Sequence, residues 1–124
     1  MLTVGVDLIE IVRVERIVDR FGERFLERVF TPQEIRYSRG RVAELAARFA
    51  AKEAVSKALG VGMFMIARDG IAWKDVEIIP DRRGKPLVHL HGRAAERSAE
   101  LDLTEWAVSL SHDREQAVAF VAAQ

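Results

Sequence analysis

The alternation of apolar and polar positions divides the chain into segments of two periods. Leu2 to Ile9 reads as a short strand, since Val4, Val6 and Leu8 are apolar and rich in β-branching, with Asp7 near its end. From Ile11 to Arg28 the period becomes helical. Glu15, Asp19, Glu23 and Glu27 form one row at four-residue spacing beside a second row of Arg16, Arg20, Arg24 and Arg28. Gly22 falls inside this run and costs roughly 1 kcal/mol in a helix interior, so two shorter helices meeting near it are expected.

Thr31-Pro32-Gln33-Glu34 has the form of a capping box, with proline at the first helical position, and predicts a third helix. Arg41 to Leu59 predicts the longest helix. Alanines at 43, 46, 47, 50, 51, 54 and 58 give it a small-residue face suited to close packing, and Gly60 stops it. Beyond it, Trp73 to Ile79 and Pro86 to Leu90 read as a hairpin around Pro80-Asp81-Arg82-Arg83-Gly84. Ala94 to Leu101 reads as a short helix, and Trp106 to Leu110 and Ala117 to Val121 as a second hairpin around Ser111-His112-Asp113-Arg114. The expected class is α+β: an N-terminal strand and helices, one long central helix, then antiparallel strands. No linker or repeat divides the 124 residues, so one domain spanning 1–124 is expected.

Composition narrows the function classes. The formal charge is zero, which gives no global electrostatic case for nucleic acid or an anionic membrane. No cysteine occurs, which removes disulfides, thiolate metal sites and cysteine nucleophiles and fits a reducing cytosol. Met1 to Ile11 carries Asp7 and Glu10 and lacks a basic leader before a long apolar run. It reads as neither signal peptide nor membrane span, and a soluble cytoplasmic protein is expected.

Phe49, Glu53 and Lys57 share one face of the long helix. Spacing alone favours a Glu53–Lys57 ion pair at i, i+4, worth about 0.3 to 0.5 kcal/mol. The alternative pairs Glu53 with Asp7 as two carboxylates around Mg²⁺, completed by phosphate oxygens and water. His89 and His91 alternate along a strand and are explained by one stripe of its surface.

Four segments bear on this choice. Gly5-Val6-Asp7-Leu8-Ile9-Glu10-Ile11 and Arg48-Phe49-Ala50-Ala51-Lys52-Glu53-Ala54-Val55-Ser56-Lys57-Ala58-Leu59-Gly60 resemble the two signatures of the 4′-phosphopantetheinyl transferases. Arg83-Gly84-Lys85-Pro86 and Val108-Ser109-Leu110-Ser111-His112 resemble the small, single-domain branch typified by the holo-acyl-carrier-protein synthases. The length admits one such domain, against two fused in the larger branch.

The resemblance implies a transferase of fatty acid biosynthesis. A serine hydroxyl of an apo-acyl-carrier protein attacks the pantetheine-bearing phosphorus of coenzyme A, and adenosine 3′,5′-bisphosphate leaves. It implies Asp7 and Glu53 as ligands of Mg²⁺, with Mn²⁺ as an alternative, and Glu53 and Lys57 as catalytic groups, with the general base left open between Glu53 and a metal-bound water. Coenzyme A contacts fall to Lys57, Gly60, Lys85, Pro86, Ser111 and His112, although His112 also reads as a plain turn residue. An acidic carrier would dock on Arg13, Arg16, Arg20 and Arg24, unless the neighbouring acidic row satisfies these arginines. A homotrimer with active sites between subunits is implied too. Met63-Phe64-Met65-Ile66 departs from the more polar stretch usual in relatives, and suits contact with a neighbouring subunit or the pantetheine arm.

Overall fold

A computed structural model of the chain describes residues 1–63 and 70–124. Strand β1 (Thr3–Glu10) leads into helices α1 (Ile11–Phe21) and α2 (Glu23–Val29), then α3 (Pro32–Ser38) and the 18-residue α4 (Val42–Leu59). The hairpin β2 (Val76–Pro80) and β3 (Pro86–Leu90), helix α5 (Gly92–Glu100), and the hairpin β4 (Trp106–His112) and β5 (Gln116–Ala123) complete the chain. This is the expected α+β arrangement. No helix among the described residues is long and apolar enough to cross a membrane.

The break between α1 and α2 falls at Gly22, whose φ of 57° and ψ of −134° suit a residue without a side chain. The capping box forms as read: Glu34 N donates to Thr31 Oγ1 at 3.3 Å, and Thr31 N donates to Glu34 Oε1 at 2.9 Å. Gly60 closes α4 in the left-handed conformation, φ 72°.

One segment differs. The strand expected from Trp73 begins only at Val76, because Trp73–Asp75 forms a 3₁₀ turn. Asp75 Oδ2 accepts from Ala72 N at 3.0 Å, and the Trp73 carbonyl accepts from Lys52 Nζ at 3.1 Å. The turn is closed locally between Ala72 and Asp75 and is tied to α4 by Lys52. The last turn is also tighter than expected, since Asp113 Oδ1 accepts from both Glu115 N and Gln116 N at 2.8 Å, and β4 extends to His112.

The main sheet has the order β1-β5-β4, all antiparallel, with Thr3 opposite Ala123 and Glu10 opposite Gln116; β2 and β3 form a separate pair. Its inner face packs on α4. Thr3, Gly5, Asp7 and Ile9 point inward with the buried Ala117, Ala119, Val121 and Ala123, against the buried alanines 50, 51, 54 and 58. Contact is close enough that a Cβ on Gly5 would lie 2.0 Å from the Ala54 carbonyl oxygen. Thr3 Oγ1 donates to Ala58 O at 2.9 Å across the same seam. The apolar row of β1 consequently faces outward: Val4, Val6 and Leu8 are exposed, as is Phe120 opposite Val6.

Candidate active site

The seam between β1 and α4 brings Asp7 and Glu53 together across 46 positions of sequence. Burial raises the Glu53 carboxyl above its ordinary value, the Asp7 charge raises it further, and Lys57 opposes both. The i, i+4 ion pair of Glu53 with Lys57 is not what forms. Lys57 Nζ instead reaches across to Asp7 Oδ1 at 3.0 Å and to the Val6 carbonyl at 2.9 Å. That contact exists because Gly5 lets the strand lie directly on the helix, and helical spacing alone could not show it.

Among the described residues no cluster of three or more His, Asp or Glu side chains forms a metal cage. Two carboxylates fit Mg²⁺ nonetheless. That ion keeps several waters and is held by one or two carboxylates plus substrate phosphates rather than by an all-protein cage. Asp7 and Glu53 sit on a strand and a helix rather than on loops, and their mutual repulsion is what a divalent cation would relieve.

A second concavity lies elsewhere on the chain. Lys85, Pro86 and His112 meet in a cleft of about 510 Å³, lined also by Tyr37, Glu44 and Arg48. Neither Asp7, Glu53 nor Lys57 lines it. Ser111, next along β4, lines a smaller depression of about 190 Å³ beside Leu8, Asp113 and the same His112. Gly60 stays at the end of α4, one turn past Lys57. The expected residues thus fall into two groups within one chain: Asp7, Glu53, Lys57 and Gly60 in one, and Lys85, Pro86, Ser111 and His112 in the other.

Arg48 was not anticipated as a cleft residue. It is 2% exposed, donates from Nε to Ile78 O at 3.0 Å and from Nη1 to Glu44 Oε2 at 2.7 Å, and lies 4.5 Å from the Tyr37 ring centroid. Lys52 was missed as well, and it is fully buried in an ion pair with Glu34 at 2.8 Å. Leu45, Arg48, Lys52, Val55 and Leu59 recur at helical spacing, so both cations stand on a core-facing stripe. Charges at such positions are the signal that could have found them.

Arg13, Arg16, Arg20 and Arg24 are all exposed. Among the described residues, no ion pair within 4.0 Å joins these four to the acidic row. Arg20 lies over the Phe21 ring at 5.2 Å, and Arg24 edges a groove of about 370 Å³ with Ile17, Phe21, Phe25 and Arg28. The two histidines do not share one strand, since β3 ends at Leu90 and His91 is the N-cap of α5; His91 Nε2 is 3.2 Å from Glu77 Oε1, and His89 stands opposite Glu77 in the ladder. Of the unusual apolar loop, Met63 is buried and bridges to Ile71, while Phe64, Met65 and Ile66 lie outside the described residues.

This geometry has close counterparts. The family profile described as the 4′-phosphopantetheinyl transferase superfamily matches residues 3–121. The holo-[acyl-carrier-protein] synthase of Herpetosiphon aurantiacus is 50% identical over 98% of this chain and 97% of its own length. That of Halorhodospira halophila is 48% identical over 95% and 93%. Among solved structures, the Helicobacter pylori holo-[acyl-carrier-protein] synthase in complex with coenzyme A superposes with a TM-score of 0.86 at 33% identity, covering 98% of this chain and 99% of that one. The Chronobacterium ammoniagenes coenzyme A complex of the same enzyme gives 0.84 at 35% identity, covering 100% and 97%. On this match of sequence and fold along nearly its whole length, the chain belongs to the 4′-phosphopantetheinyl transferase superfamily and, within it, to the holo-[acyl-carrier-protein] synthases.

Proposed function

We propose that this chain, as one domain over residues 1–124, transfers the 4′-phosphopantetheine arm of coenzyme A to a serine of an apo-acyl-carrier protein. The observation that carries the reading is the Asp7–Glu53 pair, two carboxylates forced together on rigid elements beside Lys57. The serine oxygen forms a new bond to the phosphorus bearing pantetheine as the pyrophosphate P–O bond breaks. Adenosine 3′,5′-bisphosphate departs with the bonding electrons.

Asp7 and Glu53 would hold Mg²⁺, with Mn²⁺ as a substitute; the ion, when bound, supplies charge neutralisation on the diphosphate. Lys57 can leave Asp7 for a phosphate oxygen, since its side chain is 54% exposed and held only by surface contacts. Glu53, or a metal-bound water relaying the proton to it, would accept the serine proton. Gly60, Lys85, Pro86, Ser111 and His112 bind the nucleotide end of coenzyme A.

The two groups of site residues lie apart on one chain, and the exposed face of Val4, Val6, Leu8 and Phe120 needs cover. Both facts support a homotrimer in which the cleft of one copy meets the Asp7–Glu53–Lys57 group of the next. Arg13, Arg16, Arg20 and Arg24 would receive the acidic carrier, with the Phe21–Phe25 groove taking apolar contacts. The protein works in the cytoplasm, without nucleic acid or membrane partners.

Incubation with coenzyme A, Mg²⁺ and an apo-carrier should add the mass of one phosphopantetheine to the carrier. Asp7→Ala and Glu53→Ala should each abolish that gain while leaving a folded oligomer. An unchanged mass across several carriers, or full activity in either variant, would refute the reading.

A further inference from the structure

Helix α4 meets the sheet through alanines and Gly5. Such a face permits very close approach, but it offers few protruding side chains to lock the helix against rotation about its own axis. Rotation matters here. With a carboxylate about 6 Å from the helix axis, a roll of about 20° moves it by about 2 Å. Metal–oxygen distances tolerate only a few tenths of an ångström.

On the sheet side, Lys57 donates to Val6 O and Asp7 Oδ1 and Thr3 Oγ1 donates to Ala58 O, but these bonds lie at the C-terminal end of α4. On its opposite side, beside Glu53, the bonds to other elements come from Lys52, with one more from Arg48. Its ammonium donates to Glu34 Oε1 at 2.8 Å, to Trp73 O at 3.1 Å and to Val76 O, so all three donors are used. Glu34 is itself held by Thr31 N and Ile78 N, each at 2.9 Å. One buried cation therefore ties α4 to α3, to the 3₁₀ turn and to β2.

Resting on the metal reading of Asp7 and Glu53, we propose that Lys52 is a positioning residue: its three-way anchor fixes the roll of α4 and thereby keeps the adjacent Glu53 turned toward Asp7. Lys52 touches neither substrate nor metal. It acts through the helix on which Glu53 is the next residue.

The test uses Mn²⁺ binding, followed by electron paramagnetic resonance on the full chain with and without coenzyme A, alongside thermal unfolding and transfer kinetics. Lys52→Met should remain folded with a lower Tm, bind Mn²⁺ roughly ten- to hundredfold more weakly, and lose kcat in proportion, as removal of supports behind metal ligands generally does. Leu103→Ala, a buried change outside the site, should lower Tm without moving Mn²⁺ affinity. Should Lys52→Met fail to fold, Glu34→Gln keeps the side-chain size, removes the charge facing Lys52, and should weaken Mn²⁺ binding in the same direction. Wild-type Mn²⁺ affinity in a folded Lys52→Met or Glu34→Gln variant overturns the inference, as does an equal loss in Leu103→Ala. Asp7→Asn separates the two ideas: if it abolishes Mn²⁺ binding while Lys52→Met does not, only the role of Lys52 falls. If Asp7→Asn binds Mn²⁺ normally, the metal reading falls and takes this inference with it.

Discussion

Replacing Gly5 by alanine tests how far the site depends on the approach of β1 to α4. The added Cβ would stand 2.0 Å from the Ala54 carbonyl oxygen, 3.0 Å from its carbonyl carbon and 3.1 Å from Ala58 N. All three are backbone atoms of a helix interior, so no side chain can rotate away. Ordinary contact begins near 3.4 Å, and strand and helix must separate by roughly 1 Å or more to reach it. Overpacking in well-filled cores costs about 1 to 3 kcal/mol, and this backbone clash belongs at about 3 kcal/mol or above. For a chain of this length that is a fall in Tm of about 10 °C. The same separation pulls Asp7 from Glu53, and a misplacement of about 1 Å costs on the order of a hundredfold in rate. Differential scanning calorimetry and the carrier-mass assay on Gly5→Ala read the two effects separately. A Tm within 2 °C of wild type together with unchanged kcat would refute the claim that this contact sets the site.

Two further outcomes follow from features at other places. Phe120→Asp, on the exposed sheet face, should yield a folded monomer by light scattering with transfer activity lost; a trimer of normal activity would contradict assembly through this face. Burial works against ionisation of Glu77, but hydrogen bonds from Thr31 and His91 outweigh it and hold the carboxyl below its ordinary value. A depressed carboxyl stabilises the fold above its unfolded pKa of about 4.5 and loses that contribution as pH falls through the folded value. Glu77→Gln should therefore flatten the decline of Tm below about pH 4.5, and an unaltered acid slope would count against this origin.

Local chemistry made much of the fold legible. The break at Gly22, the Thr31–Glu34 box, the long alanine-rich helix and both hairpins each follow from residues a few positions apart. What escaped was decided at long range. The 3₁₀ turn at Trp73 is bonded to Lys52, 21 residues away. Lys57 chose Asp7, 50 residues away, over its helical neighbour Glu53. Alternation in β1 identified a strand but not its inner face, which went to Thr3 and Gly5 because α4 presents alanines at a separation that valine could not enter. For the candidate site, the motifs drew attention to Asp7 and Glu53, and the structure supplied their proximity. Arg48 and Lys52 stayed hidden because a charge on a helix is ordinarily taken as solvent-facing.

The pairing of β1 with β5 has a consequence for biosynthesis. Among the described residues β1 has one sheet partner, β5, which is made far later in the chain, since Thr3 bonds opposite Ala123. Until Gln116–Ala123 has emerged, β1 can rest on α4 only with an unsatisfied edge and an apolar outer face turned to solvent. Asp7, Glu53 and Lys57 are all made before β5, so the sheet that supports them closes only once Gln116–Ala123 has emerged.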